Sequence, residues 1–284
     1  MKRFSFYKMW FLSALSLLAA ATVQAQMKGW ELGPWVGAVT YFGDLNTDYR
    51  LNNVNLAGGI GARYNFNDRL CFRLGGHYGT VEAYDSESRN PFEQARNLSF
   101  QSEVVEGTAQ FEFNFLPYDH GTRDYFFSPY LFGGFSVFYY NPTAELNGKV
   151  YELRQLGTEG QFKGEEYYLL ARAFTYGFGI KLDLTYEWSL DFSIGARYGN
   201  TDYLDDVSTV YPDRSDLIRS RGQIAADLSD RSIPQPGEDL GPLGRQGRQR
   251  GDDGRNDMYV FAGVGLMYYF GDLRCPTYGK RSRR

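Results

Sequence analysis

Apolar and polar residues alternate with period two in eight segments of the chain, the spacing at which successive side chains of a strand point to opposite faces. The segments cover residues 30–41, 56–66, 70–81, 98–115, 129–140, 174–184, 189–200 and 258–270. In the fourth, Val105, Ala109, Phe111, Phe113 and Phe115 alternate with Glu106, Gln110, Glu112 and Asn114. In the sixth, Phe174, Tyr176, Phe178, Ile180, Leu182 and Leu184 share one phase. The first segment has a mixed phase, because aromatics stand on both sides of it. Every segment reaches the roughly 9–11 residues that a tilted strand needs to cross a hydrocarbon core. Eight is an even number and the smallest usual for a bacterial barrel. The pattern therefore predicts an all-β fold, an eight-stranded antiparallel transmembrane β-barrel of the outer-membrane type.

The connections between segments sort by length. Residues 67–69, 116–128 and 185–188 make short or moderate turns, and residues 42–55, 82–97, 141–173 and 201–257 make longer loops. The two kinds alternate along the chain, as the short periplasmic turns and longer extracellular loops of outer-membrane barrels do. This predicts long extracellular loops and both termini in the periplasm. Within the last loop, residues 227–257 are rich in Gly, Arg, Asp and Pro, as in the run Gly244-Arg245-Gln246-Gly247-Arg248-Gln249-Arg250-Gly251. So few apolar groups cannot support a packed core, and the reading is a partly disordered extracellular loop.

Ahead of the first strand, Lys2, Arg3 and Lys8 precede an apolar run over residues 9–21, and Val23-Gln24-Ala25 supplies the small residues of a cleavage site. The run is shorter than the roughly 20 residues of a membrane-spanning helix, so residues 1–25 read as a signal peptide. The division that follows is a barrel over 26–270 and a basic periplasmic tail over 271–284. Composition agrees with a barrel. Aromatic residues make up 17% of the chain and Gly 33 of its 284 residues, which suits strands with interfacial aromatic girdles. A formal net charge of −4 argues against a nucleic-acid partner.

The phase opposite the apolar face carries the charges. Arg63, Arg73, His77, Glu106, Gln110, Glu112, Lys181, Asp183, Asp191 and Arg197 fall on it, and Glu31 joins from the first segment. Leaving His77 aside, five acids stand against four bases. The interior of an eight-stranded barrel is just wide enough for side chains to fill, so the expectation is a lumen plugged by ion pairs, with no pore. With only His77 and His120 in the chain and no motif around either, no catalytic, metal or cofactor site is expected, and no enzyme. Asp202, Asp205 and Asp206 offer oxygen ligands for Ca²⁺, but no Gly-spaced calcium loop surrounds them, and they read as solvated loop acids. Cys71 and Cys275 both fall on the periplasmic side. Whether they are bridged depends on a Cα separation that spacing does not supply. The tail residues Arg274, Lys280, Arg281, Arg283 and Arg284 suit docking to an acidic periplasmic partner, or a frayed solvated end.

Six stretches taken in order carry a resemblance. They are Tyr41-Phe42-Gly43-Asp44-Leu45-Asn46, Leu98-Ser99-Phe100, Gln110-Phe111-Glu112-Phe113-Asn114-Phe115, Pro129-Tyr130-Leu131-Phe132-Gly133-Gly134, residues 151–161 with Leu156-Gly157-Thr158-Glu159-Gly160-Gln161 at their end, and Thr201-Asp202-Tyr203-Leu204-Asp205-Asp206-Val207-Ser208. Together they resemble the PorG family, outer-membrane barrels of the type IX secretion system of Bacteroidota. The resemblance implies a non-enzymatic part of a secretion machine, without cofactor or small-molecule substrate. It would sit in the lipid bilayer, anchoring or assembling a periplasmic ring of PorK and PorN for secretion of cargo with a C-terminal signal. The Gly/Arg run and the basic tail lie outside it. The alternative is a stand-alone barrel whose long loops bind an extracellular ligand.

Overall fold

The computed structural model describes residues 29–122, 124–233 and 243–271. The segment 1–25, read above as a signal peptide, lies outside the described residues, as do Cys275 and residues 272–284 of the basic tail. Eight long strands form the wall: β1 (Gly29–Phe42), β2 (Asn55–Asn65), β3 (Leu70–Tyr84), β4 (Ser99–Asn114), β5 (Phe127–Leu146), β7 (Leu170–Asp183), β8 (Trp188–Gly199) and β9 (Met258–Gly271). A short β6 (Lys149–Glu152) folds back on the end of β5. Every neighbour is antiparallel, β1 pairs with β9, and β4 pairs with β5. The ring is therefore closed, and no wall strand is left with a free edge. Closure satisfies the backbone donors and acceptors that hydrocarbon cannot. Among the described residues, no helix is long and apolar enough to cross a membrane.

The alternating pattern translates directly into two faces. On β4, even-numbered residues are buried and the odd-numbered ones from Gln101 to Phe113 exposed. The first strand is not mixed after all: Glu31, Trp35, Val39 and Tyr41 point inward, while Trp30, Leu32 and Val36 point out. Its aromatics sit on both faces because they do two jobs, filling the lumen and facing lipid. The outward face is apolar and exposed, as at Phe135, Ile60 and Phe178. At the periplasmic end its aromatics form a connected girdle. Trp30 lies opposite both Tyr64 and Phe270, Tyr64 opposite Phe72, and Phe72 opposite Phe111. Toward the other end, the outward residues turn polar at one level: Tyr78, Val105 and Tyr139 share a paired row, and Thr80, Glu103 and Asn141 share the next. Such a belt, around a charged interior, inverts the arrangement of a soluble protein. The chain is an outer-membrane β-barrel, with the short turns and both strand termini periplasmic and the long loops outside.

The loops are more ordered than their composition suggests. Residues 85–97 hold helix α1 (Pro91–Arg96), capped by the Asn90 side chain and closed by Asn97 in the left-handed region. Helix α2 (Leu153–Leu156) follows β6 and ends at Gly157, with φ of 56°. The long last loop contains α3 (Arg214–Arg221) and α4 (Gln223–Ser229). Residues 243–257 then return across the barrel mouth, where Arg250 is buried. In the described parts of the insert, residues 227–233 and 243–257, contacts from other loops supply the core that the insert lacks on its own. The main apolar cluster lies beneath this cap. Strand residues such as Val39, Val104, Phe138 and Phe261 meet Leu45, Leu204, Val207 and Leu228 dropped in from the loops.

Candidate functional site

The lumen is built in layers, each set by inward positions on several strands. In the middle, Arg63 of β2 is fully buried among three carboxylates. It contacts Glu31 at 2.8 Å and Glu112 at 2.7 Å, and it pairs with Asp191. Arg73 reaches the same Asp191 at 2.9 Å. Lys181 contacts Glu112 at 2.7 Å, and the Tyr130 hydroxyl donates to Asp191 at 2.6 Å. One layer toward the exterior, Glu106 receives Arg197 at 2.9 Å and the Tyr259 hydroxyl at 2.8 Å, with His77 Nδ1 at 3.2 Å. Strand pairing explains these meetings: Lys181 lies opposite Asp191, Arg63 opposite both Glu31 and Arg73, and His77 opposite Glu106. The structure thus brings Glu31, Arg63, Arg73, Glu112, Lys181 and Asp191 into one network, and Glu106 and Arg197 into a second layer.

Asp183 completes the periplasmic layer with a partner from outside the strands. His120 lies in the turn after β4, yet the chain folds it back into the barrel's end. Its Nδ1 is 3.0 Å from Asp183 and its Nε2 is 3.2 Å from Glu31, and the ring stacks on Tyr269 at 4.4 Å. Burial pulls the imidazole pKa down, but the charges of Glu31 and Asp183 outweigh it and raise it to about 9. His120 is therefore the fifth cation that the inward strand positions lacked. Its sequence signal was absent, since a turn residue has no phase. Cys71 sits in the same layer; its thiol donates to the Asn65 side-chain oxygen at 3.0 Å, and its sulfur accepts from Lys181 Nζ at 3.4 Å. Its proposed partner Cys275 is outside the described residues, as are Arg274, Lys280, Arg281, Arg283 and Arg284.

Little space is left inside. The gap between Trp35, Arg73, His77, Phe132, Arg197 and Phe261 has a cavity volume of about 10 Å³, no more than a single water needs. The charged side chains across the bore are paired with one another.

Above the lumen the extracellular loops lock into a cap. Two stretches distant in the chain meet there. Thr158 donates to Asp206, while Glu159 accepts from the Ser208 amide at 2.9 Å and from the Thr209 hydroxyl at 2.6 Å. Arg250 ties both together, contacting Glu159 at 2.9 Å and Asp206 at 3.5 Å and donating to the Asp206 carbonyl. A second fork, Arg96 on Asp85, holds α1 to the start of its loop at 2.7 and 2.8 Å, and Arg96 also donates to the carbonyl of Asp44 at 2.8 Å.

The acids Asp202, Asp205 and Asp206 are not solvated, as their loop position suggested. All three are buried under neighbouring loops, together with Asp44 and Asp257. The Tyr41 hydroxyl lies 2.6 Å from Asp205 and 2.7 Å from Asp257. One hydroxyl carries one proton, so the second short contact calls for a proton on a carboxyl. Burial pushes Asp257 up to about 8, and burial reinforced by the charge of Asp257 pushes Asp202 up to about 9. Asp205 rises for the same two reasons. Gly43 makes this packing feasible, because a Cβ there would stand 2.0 Å from an Asp257 oxygen and 2.1 Å from the Tyr41 hydroxyl. Among the described residues, no group of three or more His, Cys, Asp or Glu side chains is arranged to hold a metal ion.

A family model described as a domain of unknown function, DUF6089, matches residues 8–221. Solved structures resemble the chain at low identity. The outer membrane protein OprG from Pseudomonas aeruginosa is 10% identical with a TM-score of 0.42, over 87% of this chain and 98% of that one. Neisserial surface protein A is 10% identical with a TM-score of 0.40, over 85% and 97%. The N-terminal β-barrel domain of Pseudomonas aeruginosa OprF is 11% identical with a TM-score of 0.38, over 86% and 100%. No curated protein matches the chain significantly.

Proposed function

The chain belongs to the DUF6089 family, and from that premise we propose that it is a non-enzymatic outer-membrane component of the type IX protein secretion machinery. In this reading it anchors or assembles the periplasmic ring of PorK and PorN, and secreted cargo passes through another protein. The filled lumen carries the reading, since a barrel with interlocked charges across its bore suits an anchor and not a conduit. The sequence stretches that resemble PorG add support. Leu156–Gln161 and Thr201–Ser208 are the two segments that clasp each other through Thr158, Glu159 and Asp206, so the residues behind the resemblance are also those that shape the cap.

Partner contact would fall on the periplasmic rim and the basic tail. Affinity purification of the barrel from detergent-solubilised outer membrane should recover the ring proteins. Deletion of Arg274 to Arg284 should reduce that recovery while the barrel stays folded and membrane-inserted. Ring recovery equal to the full chain would remove the tail from this role. A crosslinker confined to the cell exterior that traps the sole partner would favour ligand binding through the loops instead.

A further inference from the structure

At the extracellular end, the lipid-facing wall opens into a groove. Phe42, Met258 and Tyr198 stand in one paired row across β1, β9 and β8, with Met258 opposite both of the others. All three belong to the outward phase, so the row is the upper edge of the lipid-facing belt. The loops that leave Phe42 and enter Met258 rise over this row and enclose a cavity of about 580 Å³. That volume is in the range of roughly 300–1,000 Å³ usual for small-molecule sites.

Two features mark the groove as built. The first is Tyr49, whose φ is 53°. A bulky side chain seldom occupies the left-handed region, and residues held there gather at ligand clamps. The loop is pinned to impose it: the Asn46 side chain donates to the Tyr41 carbonyl at 2.7 Å and to the Arg50 carbonyl at 2.9 Å, and it accepts from the Arg50 amide at 2.9 Å. Tyr49 is left 65% exposed, with its ring 5.3 Å from that of Phe42. The second is Arg255 on the opposite lip, an exposed cation that makes no ion pair among the described residues. Asp252 and Asn256 beside it add acceptors and donors.

We propose that this groove binds the headgroup of a phosphorylated glycolipid of the outer leaflet. The apolar row receives the acyl chains, the Tyr49 ring stacks on a sugar, Arg255 pairs with a phosphate, and Asp252 and Asn256 meet sugar hydroxyls. Continuity with the lipid-facing belt selects a lipid over a soluble ligand, because the groove's floor is itself bilayer-facing surface. The polar lip selects a hydroxyl-rich headgroup over a simple phospholipid. This assignment is independent of any part in secretion.

The test is native mass spectrometry of the full chain in detergent, titrated with lipid A and, in parallel, with phosphatidylglycerol. A one-to-one lipid A adduct should survive conditions that strip phosphatidylglycerol. Arg255→Ala should weaken it about tenfold or more, as loss of a charge-assisted contact does. Tyr49→Gly should also weaken it, yet leave thermal unfolding unchanged or raised, since glycine accepts a positive φ freely. Equal retention of the two lipids, or lipid A affinity unchanged in either variant, overturns the proposal.

Discussion

Arg63 shows how much of this molecule hangs on single side chains. It is fully buried and is shared by Glu31, Glu112 and Asp191. Arg63→Met would leave three carboxylates with reduced compensation in a low-dielectric interior. Breaking a buried pair by removing one partner costs about 3–5 kcal/mol. A fall of that order in the unfolding free energy from urea titration of the micelle-embedded barrel is expected, and a value within error of the parent would refute it. Arg73→Met should cost less, because Asp191 keeps Arg63 and the Tyr130 hydroxyl. His120 adds a pH dependence at the periplasmic end. Its pKa in the fold, about 9, lies above the ordinary histidine value. The contact with Glu31 and Asp183 therefore stabilises fully below about pH 6.5, and that contribution fades as pH rises through 9. A barrel carrying His120→Gln should lose this alkaline component of its unfolding curve.

At the scale of elements, the strands were legible in the sequence and the cap was not. The outward runs, such as Phe174 to Leu182, alternate because one face meets lipid and the other meets charge, so local pattern carried both the strand and its phase. β1 was harder, since Trp30 and Trp35 lie on opposite faces and blur the alternation. The cap failed to show because its order is non-local. Arg250 is buried by Glu159, Asp206 and the Ser229 carbonyl, none of them nearby in the chain. The same reason hid His120, and it hid the burial of Asp202, Asp205 and Asp206. These acids make the cap sensitive to pH with a definite sign. The folded pKa of Asp257, about 8, stands above its ordinary value, so the folded cap binds more protons than the unfolded one. Its stability is greatest at acid pH and declines as pH rises toward 8 and beyond. Limited proteolysis within residues 201–257 should accelerate from pH 6 to pH 9, and Asp257→Asn should flatten that profile. Cleavage independent of pH in the parent would contradict it. Arg250→Ala should release the cap at both pH values while the strands stay protected from hydrogen exchange.

For the whole molecule, the filled bore sets the expected behaviour in a membrane. Reconstituted into planar bilayers, the folded barrel should show no stepwise conductance, because ion pairs among Arg63, Glu112, Lys181 and Asp191 cross its bore. Regular single-channel steps would show that the lumen opens. The contents of the bore also govern how the barrel answers force. An empty tube pressed at one rim turns oval and absorbs the load locally. Here Arg63, Glu112, Lys181 and Asp191 brace strands that are not neighbours in the wall, as Arg63 of β2 holds Asp191 of β8. A push on one side of the periplasmic rim is therefore carried across the section. The barrel is expected to tilt in the bilayer as a single body, so that a displacement at its inner rim is passed to the outer loops.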